Sequence, residues 1–491
     1  MLNQRLQRDV ARLAERRREE ILHTPDELTI AKTVYYVANA GCDSNDGLTP
    51  ETAWQSLQRV SEADLQRGDG VLFCRGDLFR GCVRTKPGVT YGAYGEGPKP
   101  RIYGWDKPLA NPALWELVNA ERRIWRLKEP ILDPGTLVFN DGEKHSRKLI
   151  PSYIGGQFVC RDDESRPFDM AAEMKQDLDL YWHFDAALIT RTQTVHRIPD
   201  VEMAMGELYL RCDGGNPGDC FRSVEALTRR PGIWVRSDDH VRIDNLCLKY
   251  IGHHAVAAGG HVVGLHVTNC EIGWIGGTIQ YYADEPHRLG RVTRFGNGVE
   301  IYGGCEDYRV ANCYVYEVYD AGITHQISTG GKKHIMTGVR YENNLVERCV
   351  YSIEYFLTTR GDGSGSYMDD ILMRGNILRM AGYGWGRQRP DPLTPAHIKS
   401  WNSENPASRY RVEENVFDRS THRLLHVAAE TEKCLPAMRA NAYIQYRGGI
   451  LAQYGGRENG EPDMLRFDEG AEDVIRERLG DAEAGVCFAD E

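Results

Sequence analysis

Acidic, basic and aromatic residues recur at matching positions of short apolar segments in the second half of the chain. The segments align on one apolar residue each, namely Val256, Val299, Ile323, Ile353, Ile398 and Leu425. The next position forms the column Ala257, Glu300, Thr324, Glu354, Lys399 and His426. Two residues further lies a second column, formed by Gly259, Tyr302, Gln326, Phe356, Trp401 and Ala428. Because strand side chains alternate between faces, both columns are predicted to share the face opposite the apolar residues.

The first column contains a pair of carboxylates suited to acid–base chemistry on a glycosidic bond. Glu300 and Glu354 lie two segments apart, or about 9.6 Å at the spacing of neighbouring strands. Inverting glycosidases separate their carboxylates by about 6.5–9.5 Å. Lys399 lies next to Glu354 and favours its ionised form by charge proximity, so we expect Glu354 to be the base or nucleophile and Glu300 the acid. Ordinary solvated charges on the outside of a sheet are the alternative.

The segment YDAGITHQ adds two candidates to this pair. Asp320 is either a third catalytic carboxylate, at the separation of about 5–5.5 Å that a retaining mechanism needs, or a turn-forming residue. His325 falls on the inward face with Ile301 and Tyr355, which favours a hydrogen-bonded core histidine. It would reach substrate only if the strand bends.

Aromatic and polar side chains around the carboxylates are predicted to bind sugar. Aromatic rings pack against sugar faces and polar groups orient the hydroxyls. The predicted substrate-binding residues are Tyr302, Thr324, His325, Gln326, Phe356, Trp385, Lys399, Trp401 and His426. Trp385 lies in the loop GYGWGRQRPDPLTPAH before Lys399, where loops of a solenoid can wall a groove.

The elements that position these residues are predicted to be the coils of a solenoid. Asparagines recur at intervals typical of one coil plus a variable loop. They are Asn245, Asn269, Asn312, Asn344, Asn376, Asn415 and Asn441. We expect their side chains to stack along the solenoid by hydrogen bonding, with no catalytic role.

The N-terminal part carries a family resemblance. YYVANAGCDSNDGLTPETAWQSL, then GDGVLFCRGDLFRG and GVTYGAYGEGPKPRIYG, resembles the opening of pectin-lyase-like right-handed parallel β-helix proteins. The resemblance covers about residues 33–105 and 235–455. It implies an all-β right-handed parallel β-helix and a carbohydrate-active enzyme. It does not choose a reaction, since the superfamily includes hydrolases, lyases, epimerases and adhesins.

Five regions follow from these patterns. They are an N-terminal helical segment (1–32), first β-helix coils (33–105), an inserted mostly-β subdomain (106–232), the main β-helix with the active-site face (233–455) and a C-terminal cap or helix (456–491). The N-terminal helix is amphipathic, with Val10, Leu13 and Ile21 on its apolar side. It is predicted either to pack on the main body or to join two copies in a homo-oligomer.

Composition excludes several classes of partner. A net charge of −11 argues against nucleic acid. No apolar run reaches membrane-spanning length, and the charged N-terminus lacks the apolar region of a secretory signal, so we expect a cytoplasmic protein and no membrane partner. The 13 cysteines form no CxxC pair, which disfavours structural zinc. Asp43, Asn45 and Asp46 lack calcium-loop spacing, so we expect no cofactor and find calcium possible but unsupported.

Three functions remain open. The first is a glycoside hydrolase acting on a plant- or microbe-derived oligo- or polysaccharide through carboxylate acid–base catalysis. The second is a polysaccharide lyase in which Lys399 or His426 abstracts a proton from a uronic acid. The third is a non-catalytic, sugar-binding solenoid.

Overall fold

The chain forms a parallel β-helix built from three long sheets. The computed structural model describes residues 2–185, 189–191, 195–197, 205–235, 239–283, 290–389, 394–401, 404–458 and 460–490. Each coil contributes one strand to each sheet, as in the run Cys305–Ala311, Tyr314–Val318 and Ala321–Ser328. This architecture confirms the predicted all-β solenoid and the parallel β-helix implied by the resemblance to pectin-lyase-like proteins.

The three sheets run along the solenoid. The first contains Val34–Val37, Gly70–Cys74, Thr90–Tyr94, Arg242–Asp244, His266–Thr268, Cys305–Ala311, Ile335–Glu342, Tyr367–Arg374, Ala407–Glu413 and Ala437–Arg439, with Val262–Val263 paired to Cys305–Ala311. The second contains Lys144–His145, Pro134–Phe139, Val224–Thr228, Cys247–Ile251, Glu271–Ile275, Tyr314–Val318, Leu345–Glu347, Ile377–Ala381, Val416–Ser420, Ala442–Tyr446 and Gly485–Ala489, with Leu78–Arg80 and Arg101–Tyr103 alongside. The third contains Val83–Arg84, Ile233–Val235, Val256–Gly259, Val299–Tyr302, Ala321–Ser328, Tyr351–Thr358, Ala396–Ser400, Arg423–Ala429, Gly449–Gly456 and Met464–Phe467.

Smaller elements surround the coils. A separate sheet is formed by Arg147–Lys148, Asp179–His183, Met205–Arg211, Ile124–Leu127, Trp115–Asn119 and Ile131–Leu132. Further strands are Ser152–Ile154, Gln157–Val159, Thr190–Arg191, Val195–Arg197, Thr278–Ala283 and Val292–Phe295. The α-helices are Leu2–Leu22, Leu57–Glu62, Met170–Glu173, Pro217–Cys220 and Ala471–Val474. Short 3₁₀ turns and one π turn are Pro50–Thr52, Pro112–Leu114, Asn140–Gly142, Trp385–Gln388, Glu432–Cys434 and Ile475–Leu479.

The predicted apolar column forms the inner face of the third sheet. Val256 pairs with Val299, and Val299 pairs with Ile323. The column continues through Ile353, Ile398 and Leu425. All six side chains are essentially inaccessible to solvent and belong to one core cluster. The register therefore places the intervening residues of these strands on the outer face.

Two adjacent columns occupy the turn between the first and second sheets. In the first, the backbone is left-handed, with φ between +50° and +70°, at Asn245, Asn269, Asn312, Asn343, Gly375, Glu414 and Ala440. Asparagine and glycine tolerate this conformation better than most residues, which explains why they are common there. The next position carries the hydrogen-bonded ladder.

The ladder starts at Asn344, whose side chain donates to Asn376 Oδ1 at 2.9 Å. Asn376 donates to Asn415 at 2.8 Å, and Asn415 donates to Asn441 at 3.1 Å. The predicted stack is therefore correct from Asn344 onwards. It is wrong for Asn245, Asn269 and Asn312, which occupy the left-handed position one residue earlier.

The N-terminal helix Leu2–Leu22 lies on the outer face of the second sheet. Val10 packs with Ile444 and Cys487, while Ala14 and Ile21 pack with Leu345 and Ile377. The apolar side of the helix thus contacts its own solenoid, as one of the two interpretations predicted. Among the described residues, no helix combines the length and apolar character needed to cross a membrane.

Candidate active site

Three consecutive coils bring three carboxylates to the outer face of the third sheet. Glu300 lies on Val299–Tyr302, Asp320 immediately precedes Ala321–Ser328, and Glu354 lies on Tyr351–Thr358. Thr324 pairs directly with Glu354 across the last two strands. Glu300 and Glu354 are therefore two strand spacings apart, or about 9.6 Å. We call this surface, with the aromatic residues that flank it, the carboxylate face.

A set of hydrogen-bond donors fixes the Glu300 carboxylate, which is 5% exposed. Its Oε2 accepts from Asn297 Nδ2 and from Thr324 Oγ1, each at 2.6 Å. Gln326 Nε2 donates to both oxygens, at 3.0 and 3.1 Å. All of these hydrogen bonds are donated to the carboxylate, and together they fix its orientation.

Glu354 has a different environment and is 3% exposed. Burial and then the negative charge of Asp320 raise the pKa of Glu354 to about 8. Glu354 therefore carries a proton at neutral pH. Trp401 Nε1 donates to Glu354 Oε1, so the proton resides on the other carboxyl oxygen.

The sequence-based assignment of acid and base relied on Lys399 to keep Glu354 ionised, and that expectation was wrong. Burial, together with the positive charge of Arg423, lowers the pKa of Lys399 to about 7. Lys399 thus carries only part of its charge near neutral pH.

Asp320 is paired with a buried cation. Arg389 Nη1 donates to Asp320 Oδ1, and both side chains are largely enclosed. Although burial opposes the charge of Arg389, Asp320 raises the pKa of this guanidinium above its ordinary value. The guanidinium carbon also lies 5.7 Å from the Tyr319 ring centroid and 6.0 Å from that of Tyr351. This ion pair holds Asp320 between the two glutamates.

Basic side chains continue the outer column beyond Glu354. Lys399 pairs in register with Glu354 on one side and His426 on the other. The Lys399 Nζ contacts His426 Nδ1 and lies 4.6 Å from the Trp401 ring centroid. Burial and the neighbouring Lys399 lower the pKa of His426, so its imidazole is neutral and accepts from the lysine.

Aromatic side chains flank the carboxylates. Tyr302 is 45% exposed and Trp401 is 40% exposed, whereas Phe356 is half-buried. Tyr302 and Phe356 meet edge-on with ring centroids 6.4 Å apart. These rings lie where the sequence placed them, and their contact with sugar stays a prediction.

Two predicted substrate-binding residues lie away from the carboxylate face. His325 points into the core, stacks on Tyr355 at a centroid distance of 5.4 Å, and has Tyr341 Oη 2.9 Å from its Nδ1. It is the core histidine that strand alternation predicts, and burial lowers its pKa to about 3. Trp385 is 2% exposed and donates from Nε1 to the Glu317 carbonyl at 2.7 Å. The prediction that these two residues bind substrate was therefore wrong.

Sequence reasoning missed several residues of the site. Asn297 binds Glu300 and also accepts from the Ala321 amide at 2.8 Å, so it links two coils. His254 Nδ1 accepts from the Asn297 amide at 2.9 Å. Both lie in turns between strands, where the apolar column gives no register. Arg389 lies in a loop, and its pairing with Asp320 had no signal in the sequence.

No candidate metal site is found in the part of the chain that the structure describes. There, no three His, Cys, Asp or Glu side chains are arranged to hold a metal ion.

The comparisons with known proteins find structural similarity only. No protein-family model matches the chain, and no curated protein matches it. Three solved structures illustrate the likeness, and each is a carbohydrate-active enzyme by its name. The GH136 lacto-N-biosidase from Eubacterium ramulus is 13% identical with a TM-score of 0.39, over 93% of this chain and 68% of its own. The pectate lyase Pel9A is 10% identical with a TM-score of 0.42, over 88% and 74%. The polygalacturonase from Erwinia carotovora ssp. carotovora is 8% identical with a TM-score of 0.30, over 91% and 99%.

Proposed function

We propose that the protein is a glycoside hydrolase in which Glu354 is the general acid and Glu300 the general base. The observation that carries the proposal is the pairing of a buried, protonated carboxyl with a buried carboxylate held by donors, two strands apart. Two carboxyl groups in opposite protonation states are what glycosidic hydrolysis needs.

The reaction follows from these protonation states. Glu354 donates its proton to the glycosidic oxygen as the bond to the anomeric carbon breaks. Glu300 accepts a proton from a water molecule, and the water oxygen forms the new bond to the anomeric carbon. The strands that carry the two glutamates are about 9.6 Å apart, at the upper edge of the carboxyl separation of about 6.5–9.5 Å that admits this water, which favours inversion at the anomeric centre.

Gln326 orients a group beside the general base. Its Nε2 binds Glu300, while its Oε1 is buried and has no hydrogen-bond partner within the described structure. A buried acceptor without a partner is costly unless a ligand satisfies it. Water or a sugar hydroxyl is a donor of the right size for this position.

Asp320 lies between the acid and the base, on the intermediate coil. Glycosidic cleavage develops positive charge on the sugar ring, and a fixed negative charge stabilises that state. Arg389 holds Asp320 in place and limits the repulsion between the carboxylates. Asp320 is also the reserve candidate for the base, one coil from either glutamate.

A polysaccharide lyase is the second candidate, because one observation favours it. Lys399, with a pKa of about 7, supplies a neutral amine at the carboxylate face. An amine in that form can abstract a proton next to the carboxylate of a uronic acid. Arg423 lies close enough to lower the pKa of Lys399 and offers a charge for the substrate carboxylate.

Product analysis on a panel of polysaccharides separates the candidates. New reducing ends without ultraviolet absorbance of an unsaturated uronide are expected for the hydrolase. Absorbing products would instead establish the lyase. Glu354→Gln and Glu300→Gln should each reduce turnover by about 10²–10⁴-fold, and unchanged turnover in both would contradict the assignment.

Three further expectations concern the substrate, the location and the oligomeric state of the protein. The substrate is an oligo- or polysaccharide, as the aromatic and polar groups of the carboxylate face favour. A cytoplasmic location and self-association through the N-terminal helix stay predictions. Size-exclusion chromatography with light scattering tests the self-association.

A further inference from the structure

The outer column that carries Glu300 continues towards the N-terminus. Glu300 pairs in register with Ala257, and Ala257 pairs with Trp234. Trp234 in turn pairs with Arg84. Trp234 is therefore about 9.6 Å from Glu300 along the solenoid, and Arg84 about 14.4 Å. Both lie on the opposite side of Glu300 from Glu354.

A cavity lies beside Trp234. Its volume is about 510 Å³, and its lining includes Trp234, Arg84, Arg80, Arg230, Gln58 and Glu62. The Trp234 ring is half-buried, and the Arg84 guanidinium carbon lies 5.6 Å from the ring centroid. An aromatic surface with a rim of hydrogen-bonding groups suits a sugar residue, which has apolar faces and hydroxyl edges.

Between Trp234 and Glu300, the outer column carries only a small side chain. Ala257, the residue between them, ends at its β-carbon, and neighbouring groups leave it only 8% exposed. At Gly259, two residues along the same strand, an added Cβ would meet no described residue within 4 Å. Gly259 pairs with the exposed ring of Tyr302. No large side chain of this column separates the Trp234 cavity from the carboxylates.

We infer that Trp234 binds a sugar residue of the same glycan that is cleaved at Glu300 and Glu354. The substrate is then a glycan chain that extends beyond the cleaved bond towards the N-terminal coils, and a small glycoside is a poorer substrate. This inference rests on the proposed function for the identity of the cleaved bond. The binding site at Trp234 stands on the register and the cavity.

Binding is measured in the Glu300→Gln/Glu354→Gln double variant, which removes turnover. Xylo-, cello- and galacturono-oligosaccharides from disaccharide to octasaccharide are titrated by calorimetry. Affinity is expected to rise with chain length for one series. Adding Trp234→Ala should weaken the binding of the longer oligosaccharides by about tenfold, which corresponds to about 1.4 kcal/mol. Trp234→Phe, which keeps an aromatic surface, should restore most of it.

A matched control is Tyr367→Ala, which removes an exposed ring from the first sheet. It should leave the affinities unchanged. Equal chain-length dependence with and without Trp234 overturns the inference, as does the absence of binding by all three series. Binding that depends on Trp234 without hydrolysis by the wild-type protein overturns the proposed function alone. Hydrolysis with no effect of Trp234→Ala overturns the inference alone.

Discussion

Replacing Glu354 by glutamine is expected to stabilise the protein at alkaline pH while removing its activity. The pKa of Glu354 rises from 4.5 to about 8 in the folded protein. The native state therefore binds this proton more tightly than the unfolded chain, and the wild-type protein loses stability as the pH rises from about 4.5 through about 8. At about 1.4 kcal/mol per pH unit, the full loss is about 5 kcal/mol. Glutamine cannot ionise, so the variant escapes this loss.

Urea unfolding at about pH 5 and about pH 9 measures the effect. The two proteins should differ little at the lower pH, where Glu354 is protonated. At the higher pH the free energy of unfolding of Glu354→Gln should exceed that of the wild type by up to about 5 kcal/mol. Trp401 still finds an acceptor, because the glutamine side chain retains an oxygen at the position of Oε1. Glu354 also raises the pKa of Lys399, so the difference reports Glu354 together with its coupling to this lysine.

Activity provides the second measurement on the same variant. Wild-type kcat/KM should fall tenfold per pH unit above about 8, as the acid loses its proton. Glu354→Gln should reduce kcat by about 10²–10⁴-fold and lack this alkaline limb. The control is Glu306→Gln, an exposed position on Cys305–Ala311, which should stay within about 0.5 kcal/mol of the wild type. A variant no more stable than the wild type at about pH 9 would refute the buried, protonated acid.

Three further predictions concern the base, the buried ion pair and the ladder. Glu300→Gln should lower kcat by about 10²–10⁴-fold and keep the alkaline limb, and rates across pH check this. Arg389→Gln leaves Asp320 without its cation, so the free energy of unfolding should fall by about 3–5 kcal/mol in urea titrations, and an unchanged value would contradict the buried pair. Asn376→Ala leaves buried ladder groups unpaired and should cost about 1–3 kcal/mol without changing kcat, and a loss of turnover at full folding would give the ladder another role.

The register of the third sheet could be predicted from the sequence because one physical signal fixes it. The inner face of a coil must be apolar, and Val299, Ile323 and Ile353 mark it without interruption. Once that column is aligned, alternation assigns Glu300 and Glu354 to the outer face and His325 to the core. Fold and carboxylate placement therefore follow from local pattern.

Other features depend on contacts that no local pattern encodes. Trp385 was expected to reach sugar, yet its ring packs on Tyr319 at a centroid distance of 5.2 Å, because its loop folds back over the second sheet. The ladder could be placed only to within one residue, since Asn343 and Asn344 are adjacent and either position accepts asparagine. The protonation state of Glu354 depends on burial, which the identity of its neighbour Lys399 does not reveal.

The β-helix brings ionisable groups together at one strand spacing and encloses them. Each buried group is then stabilised in a different way. Asp320 is neutralised by Arg389, Glu354 by protonation, and Lys399 in part by losing its proton. The Glu300 carboxylate instead accepts hydrogen bonds from Asn297, Thr324 and Gln326. Burial acts in opposite directions on a carboxyl and an amino group, so it raises the pKa of Glu354 and lowers that of Lys399. The strands that carry Glu354, the proposed acid, and Glu300, the proposed base, are two coils apart.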